Sequence, residues 1–403
     1  MAFNELRAIV EAHARARAQN LPAALVTVVK TSGSTYRRPG ARMLVLPPAQ
    51  DGGAAGSVGA DFLGSISGGC LEDDARERAL ETLATGRATV VRYDTTAESD
   101  IVLGTGLGCQ GVVHILIQPL GTGASDPVDG IRRALADRRA GALASVVAVE
   151  GVPAAGHPAV GDTLWLPAAD AGAGGSFQDT ALAEAVAADA RAVLRDETDP
   201  GLRTYGLADQ NARVEIFVDL IRPPRSVLVC GAGHDAVPLV RLGKELGWRV
   251  RVADGRRAYL APARFPDADA LLHCPPAAFR ERVPVEPGES AVLMTHNYLH
   301  DRAILAALLA SDAAYIGVLG PRRRTDRLLD ELATELGAGH PALGKASLRR
   351  LHGPAGLDIG AESPEQIALA IVAEIEAVGA RRGGGLLKHR SAPLHAPLPP
   401  ESM

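Results

Sequence analysis

Aromatic side chains are scarce, only 3% of 403 residues, and the formal charge is a mild -5 with no long run of Lys or Arg. Stacking platforms and a basic footprint are what nucleic acids require of a partner, so nucleic acid is not expected to bind. The same lack of a basic cluster removes any attraction to anionic lipid. No apolar run approaches the roughly 20 residues that span a bilayer. Cysteine is sparse as well. Cys70, Cys109, Cys230 and Cys274 form no C-x-x-C pair and no metal-ligand spacing, so they read as thiols in a reducing compartment, each a small core residue or a reactive or ligating one. The first twenty residues pattern as an amphipathic helix, with Phe3, Leu6, Ile9 and Val10 on one side and Arg7, Glu11 and Arg15 on the other. No apolar core with a cleavage site follows, so this is not a signal peptide, and the expected location is cytoplasmic.

What is present is an internal echo. ALVTVVKTSG (24–33) resembles ALASVVAVEG (142–151), MLVLP resembles TLWLP (163–167), and GGCLEDDARERALETLATGRA resembles GGSFQDTALAEAVAADARAVL (174–194). GVVHILIQPL and ARVEIFVDLIRPP (212–224) complete the pairing. Residues 1–224 therefore read as one pseudo-duplicated α/β domain with copies at about 22–120 and 141–224. From Arg225 the pattern changes to short apolar strands alternating with amphipathic helices, which predicts a doubly wound, Rossmann-like parallel sheet over 225–380. A Gly-, Pro- and Arg-rich tail, 381–403, is expected to be disordered.

The copies differ where chemistry is expected. Only the first has Ser34-Thr35-Tyr36-Arg37-Arg38-Pro39-Gly40, a turn whose two guanidinium groups, Arg37 and Arg38, suit a phosphate or other planar oxyanion. Gly68-Gly69-Cys70 offers a thiol at a glycine turn feeding a helix, where the second copy carries Ser176. Gly108-Cys109 offers another thiol in a glycine-dense segment without counterpart. Thiolate is a soft donor suited to molybdenum, sulfur transfer or zinc; the alternative is that both cysteines are plain core.

In the second domain, VLVCGAGHDA places Gly231 and Gly233 between strand and helix, with His234 next and Asp254 about twenty residues on, the arrangement that receives a pyrophosphate and a ribose. The alternative is the same turn as bare architecture. Arg322, Arg323 and Arg324 open a helix against its dipole, which an anion such as a cofactor phosphate or a partner's carboxylates would justify; the alternative is a plain solvated basic face. His296 and Asn297 end a strand at the carboxyl edge of the sheet. Ser363-Pro364-Glu365-Gln366 reads as a capping box.

GSTYRRPGARMLV, GSISGGCLE, the GLGC segment, VLVCGAGH, VADGRR, LMTHN, YIGVLGPRRR and HGPAGLDIGAESPEQIALAIVAEI together resemble, in order and over nearly the whole chain, the XdhC/CoxI family of xanthine dehydrogenase accessory factors. The resemblance implies a maturation factor rather than a catalyst. It would carry molybdenum cofactor, as molybdopterin or its cytosine dinucleotide, protect it, support its sulfuration and insert it into a molybdenum hydroxylase. It implies Cys70 and Cys109 as the cysteines nearest the metal, and as partners the client hydroxylase, a cysteine desulfurase and cofactor-biosynthesis proteins. A homodimer is expected from the base rate of symmetric oligomers alone. The alternatives from the residues are an NAD(P)-dependent oxidoreductase resting on Gly231, Gly233 and Asp254, and a zinc enzyme resting on Cys70, Cys109 and a histidine.

Overall fold

The computed structural model describes all residues except 1–2, 49–61, 95–110, 122–125, 152–157, 169–173, 197–199, 208–211, 338 and 392–403. Two compact units divide the chain, Met1–Pro223 and Pro224–Met403.

The first unit opens with helix α1 (Phe3–Ala18), which buries Leu6 and Ile9 from the apolar side seen in the sequence. The strands β1 (Ala23–Gly33), β2 (Arg42–Val45), β3 (Phe62–Gly64), β4 (Thr89–Asp94) and β5 (Gly111–Leu120) then form a sheet in the order β3-β2-β1-β5-β4. Helix α2 (Glu72–Thr85) covers one face, packing Ala75 and Ala79 on Ala24, Val26 and Val28. After α3 (Pro127–Asp137) the pattern is repeated. The strands β6 (Gly141–Glu150), β7 (Thr163–Pro167), β8 (Gly174–Gly175), β9 (Gly201–Gly206) and β10 (Arg213–Ile221) stand in the order β8-β7-β6-β10-β9, with α4 (Thr180–Asp196) in the place of α2. Every pairing in both sheets is antiparallel.

The duplication extends to irregularities. β1 slips against β5 at Val29, and β6 slips against β10 at Val147, the matching residue of the second copy. A bulge of this kind turns an extra side chain out of the ladder. Here Val29 and Val147 meet in one buried cluster with Leu116 and Phe217, joining the two sheets. Beside it lies Arg42, only 2% exposed. Its guanidinium pairs with Asp219 of β10 at 2.6 Å and donates to the Gly40 carbonyl at 3.0 Å. The counterpart of Asp219 in β5 is Gln118, whose amide donates to the carbonyl of Gly161 at 2.7 Å. Each copy thus reaches from its last strand to the glycine that precedes the other copy's second strand.

In the second unit β11 (Ser226–Cys230), β12 (Arg249–Asp254), β13 (Ala270–His273), β14 (Ser290–Leu293), β15 (Tyr315–Val318) and β16 (Leu351–His352) form a wholly parallel sheet in the order β13-β12-β11-β14-β15-β16. That is the dinucleotide-fold order, with its switch point between β11 and β14. Helices α5 (Ala236–Glu245) and α10 (Pro364–Gly379) cover one face. The short α6 (Phe279–Arg282), with α7 (Tyr298–Leu309) and α8 (Arg322–Leu336), covers the other, and α9 (Lys345–Leu348) precedes β16. The capping box at the start of α10 is formed by Ser363 and Gln366. Of the tail, 381–391 is described and carries one short turn of 3-10 helix, Leu387–His389; the remainder lies outside the described residues. No helix among the described residues is long and apolar enough to cross a membrane.

Candidate functional site

The turn 34–40, the Gly68–Cys70 turn and Gly111, the described end of the second glycine-rich segment, come together at one end of the first sheet. The turn 34–40 leaves β1 with Tyr36 exposed, and its ring lies against Gly68, where an added Cβ would sit 3.4 Å from the ring. Gly111, which ends the second glycine-rich segment and begins β5, abuts Ser34 and Thr35 so closely that a Cβ would fall 2.4 Å from the Ser34 carbonyl oxygen. Gly108 and Cys109 themselves lie outside the described residues.

Cys70 is a free, exposed thiol. The loop that carries it is built around Glu72, whose side chain is 4% exposed. One carboxylate oxygen accepts from the Ser65 hydroxyl at 2.9 Å and from the N–H groups of Ile66 and Ser67 at 3.2 and 2.9 Å. The other accepts from the Ser67 hydroxyl and from the N–H groups of Gly69 and Leu71 at 3.1 and 3.2 Å. The N–H of Cys70 goes to the Ser67 hydroxyl at 3.1 Å. Burial works against the charge, but the Ser67 and Ser65 hydroxyls and the Ser67 N–H outweigh it and hold the carboxyl below its ordinary value. The N–H groups of Gly69, Cys70 and Leu71, just ahead of α2, are therefore taken by Glu72 and Ser67. What the turn presents outward is the thiol, on a main chain fixed from both sides.

The register corrects one reading. The Ser176 N–H donates to the Thr163 carbonyl at 2.9 Å as the Ser65 N–H donates to the Arg42 carbonyl at 3.1 Å, and Gly64 and Gly175 occupy matching places beside those carbonyls. Ser176 is therefore the counterpart of Ser65 and not of Cys70; the shared Gly-Gly misaligned the two copies. Helix α2 begins seven residues after Ser65, whereas α4 begins four residues after Ser176. The stretch containing Gly68, Gly69 and Cys70 is an insertion into the first copy, with nothing opposite it in the second.

The arginine pair divides. Arg37 is engaged by Glu5 of α1 in a two-bonded fork at 2.5 and 3.2 Å, an internal tie from turn to helix. Arg38 is exposed. Gly40, at φ +92°, takes a left-handed conformation, and its N–H donates to Val28 at 2.8 Å. Among the described residues no group of three or more His, Cys, Asp or Glu side chains is placed to hold a metal ion.

At the switch point of the second unit, Gly231 lies so near β14 that a Cβ would fall 2.4 Å from the Met294 carbonyl oxygen, and its φ is +122°. The rest of the turn is occupied from within. Asp254 accepts from the Ala232 N–H at 2.7 Å and from the main chain and guanidinium of Arg256 at 2.7, 3.0 and 2.8 Å. Burial raises its carboxyl pKa, but Arg256 and the Ala232 N–H more than offset that, and the group stays below its ordinary value. Arg264 donates to the carbonyls of Ala232 and Gly233 at 3.0 and 3.2 Å. Asp235, at the start of α5, turns its carboxylate to His296 at 2.7 Å, and His296 holds a left-handed φ of +58°. His234 is exposed. The sequence showed none of these partners, because most of them join groups brought together from separate strand ends. Arg322 and Arg323 are exposed at the start of α8, while Arg324 pairs with the buried Asp301 at 2.6 Å. Cys230 and Cys274 are buried, and burial pushes both thiols up.

The comparisons with known proteins agree with this architecture. The model of the XdhC and CoxI family matches residues 16–94, and that of the XdhC Rossmann domain matches 227–375. A protein of Bacillus subtilis (strain 168), named as a probable xanthine dehydrogenase subunit, is 30% identical over 353 residues, 88% of this chain and 92% of that one. The uncharacterized protein YqeB of Escherichia coli (strain K12) is 34% identical over 171 residues, 42% of this chain and 30% of its own. The crystal structure of a xanthine dehydrogenase from Bacillus halodurans shares the fold with a TM-score of 0.69 at 24% identity, covering 96% of this chain and 98% of that one. The chain belongs to the XdhC and CoxI family, the accessory factors of xanthine dehydrogenase.

Proposed function

We propose that this accessory factor carries molybdenum cofactor on its first unit, protects it during sulfuration and passes it to a molybdenum hydroxylase of the xanthine dehydrogenase type. The observation that carries the reading is Cys70: an exposed thiol on a three-residue insertion present in one copy only, braced by a buried carboxylate. A soft donor held on a rigid loop is what a metal with sulfur ligands calls for, and its exposure permits both loading and release. The fit is uneven across the cargo. The thiol suits the metal, whereas Arg37 would have to leave Glu5 to meet a phosphate. The partners follow from the role: the client hydroxylase, a cysteine desulfurase as sulfur source, and the proteins that make the cofactor, all in the cytoplasm.

The test is purification of the full chain from molybdenum-replete cells, with metal analysis and ultraviolet-visible spectra. Molybdenum and pterin in equal amounts support the reading. Nicotinamide alone or zinc alone would replace it with a dehydrogenase or a zinc enzyme.

A further inference from the structure

The second unit has a cavity of about 580 Å³ away from its switch point, over the carboxyl ends of β15 and β16. Leu319, Leu357, Ile359, Ile367 and Ala370 give it an apolar lining, Pro321 forms one edge, and Asp358 is the single charged group in its wall. Its size falls in the range of small-molecule pockets, and the carboxyl edge of an open α/β sheet is where such folds bind ligands.

Two features show that the cavity is built. The loop 354–361 that forms most of its wall is held by Glu374 of α10, which accepts from the Gly356 N–H at 2.7 Å, from the Tyr315 hydroxyl, and pairs with His352 at 3.1 Å. Tyr315 and His352 stack with ring centroids 4.5 Å apart beneath the loop. The wall is thereby fixed in place before any ligand arrives. The second feature is charge beside the cavity rather than in its lining. Arg322 and Arg323 follow directly on Pro321, the edge residue, at the start of the 15-residue α8, where cations oppose the helix dipole. Neither side chain has a hydrogen bond or ion pair among the described residues. At the switch point the opposite holds, since Asp235 puts a carboxylate at the start of α5 and Arg264 covers the turn's carbonyls.

We propose that this cavity binds a small molecule with a flat apolar body and one anionic group, the body against Leu319, Leu357 and Ile367 and the anion toward Arg322 and Arg323. Asp358 limits the charge to one such group, because a second would face a carboxylate. The proposal does not depend on cofactor transfer by the first unit.

The probe is 8-anilinonaphthalene-1-sulfonate, titrated by fluorescence into the full chain beside its uncharged analogue N-phenyl-1-naphthylamine. The sulfonate should bind about tenfold more tightly, the worth of a charge-assisted contact. Arg322→Ala with Arg323→Ala should bring the two probes level, and Ala361→Phe, which fills the cavity, should remove binding of both while the melting temperature holds. A soaked crystal of the wild-type chain should show the sulfonate in the cavity, a readout that needs no variant to fold. Equal binding of the two probes to wild type, indifference to both sets of substitutions, or a sulfonate seated elsewhere in the crystal would overturn the proposal.

Discussion

Glu72 and Cys70 lie two residues apart, yet one is buried and the other exposed, and the buried carboxylate binds the N–H groups on both sides of the thiol-bearing residue. The sequence GGCLE thus encodes a thiol and its support together. Glu72→Gln keeps the shape but sets an NH2 group against N–H donors and removes the charge. It should cost about 1.5–3 kcal/mol in denaturant unfolding and quicken the reaction of Cys70 with a thiol reagent. Because the folded carboxyl lies below its ordinary 4.5, its stabilisation is present above that value and is lost as pH falls through the folded one. The difference in stability between wild type and Glu72→Gln should therefore shrink in acid, below the ordinary carboxyl value. A difference that stays constant from neutral pH into acid would contradict the bracing role.

The pair Arg42 and Asp219 ties the last strand of one copy to the second strand of the other. Asp219→Ala leaves a guanidinium buried and unpaired, for which about 3–5 kcal/mol is expected. Gln118→Ala, which loses only a neutral bond at the pseudo-equivalent place, should cost about 1 kcal/mol. Replacing both Arg42 and Asp219 with apolar residues of similar volume should recover much of the first loss. Equal, small effects at both places would mean that the ion pair does not hold the copies together.

Much of this was legible in the sequence, for reasons that can be named. Strand runs such as LVTVV and LWL are buried on both faces, so their apolar continuity survives into the structure, and the duplication appears again as identical strand order and matched bulges at Val29 and Val147. Gly86, at φ +67°, ends α2 in the left-handed conformation that glycine takes without strain. Cys70 stood out because its glycine setting is local. What the sequence hid is every partner chosen by tertiary approach: Glu5 taking Arg37, the Ala232 N–H taking Asp254, Asp235 taking His296. The false match of Ser176 to Cys70 arose because residue identity outweighed strand register, which only hydrogen bonding reveals.

Asp254 separates two roles by opposite effects. Bound as it is to Ala232 and Arg256, its carboxylate serves the glycine turn, so Asp254→Asn should lower stability by about 1.5–3 kcal/mol and leave calorimetric titrations with NAD or cytidine nucleotides as they are for wild type. Intact stability with weakened nucleotide binding would assign the carboxylate to a ribose instead.

The most direct test of the account is the molybdenum and pterin content of Cys70→Ser, purified from molybdenum-replete cells, beside its thermal midpoint and its power to activate a cofactor-free hydroxylase. The side chain is exposed, so stability should change by no more than about 0.5 kcal/mol, while a hydroxyl cannot replace a soft sulfur donor. Cys230→Ser, wholly buried in β11, should do the reverse, losing stability while keeping the cargo. The account predicts that Cys70→Ser retains its fold and loses cofactor and client activation together; full cofactor content with full activation in that variant would contradict it.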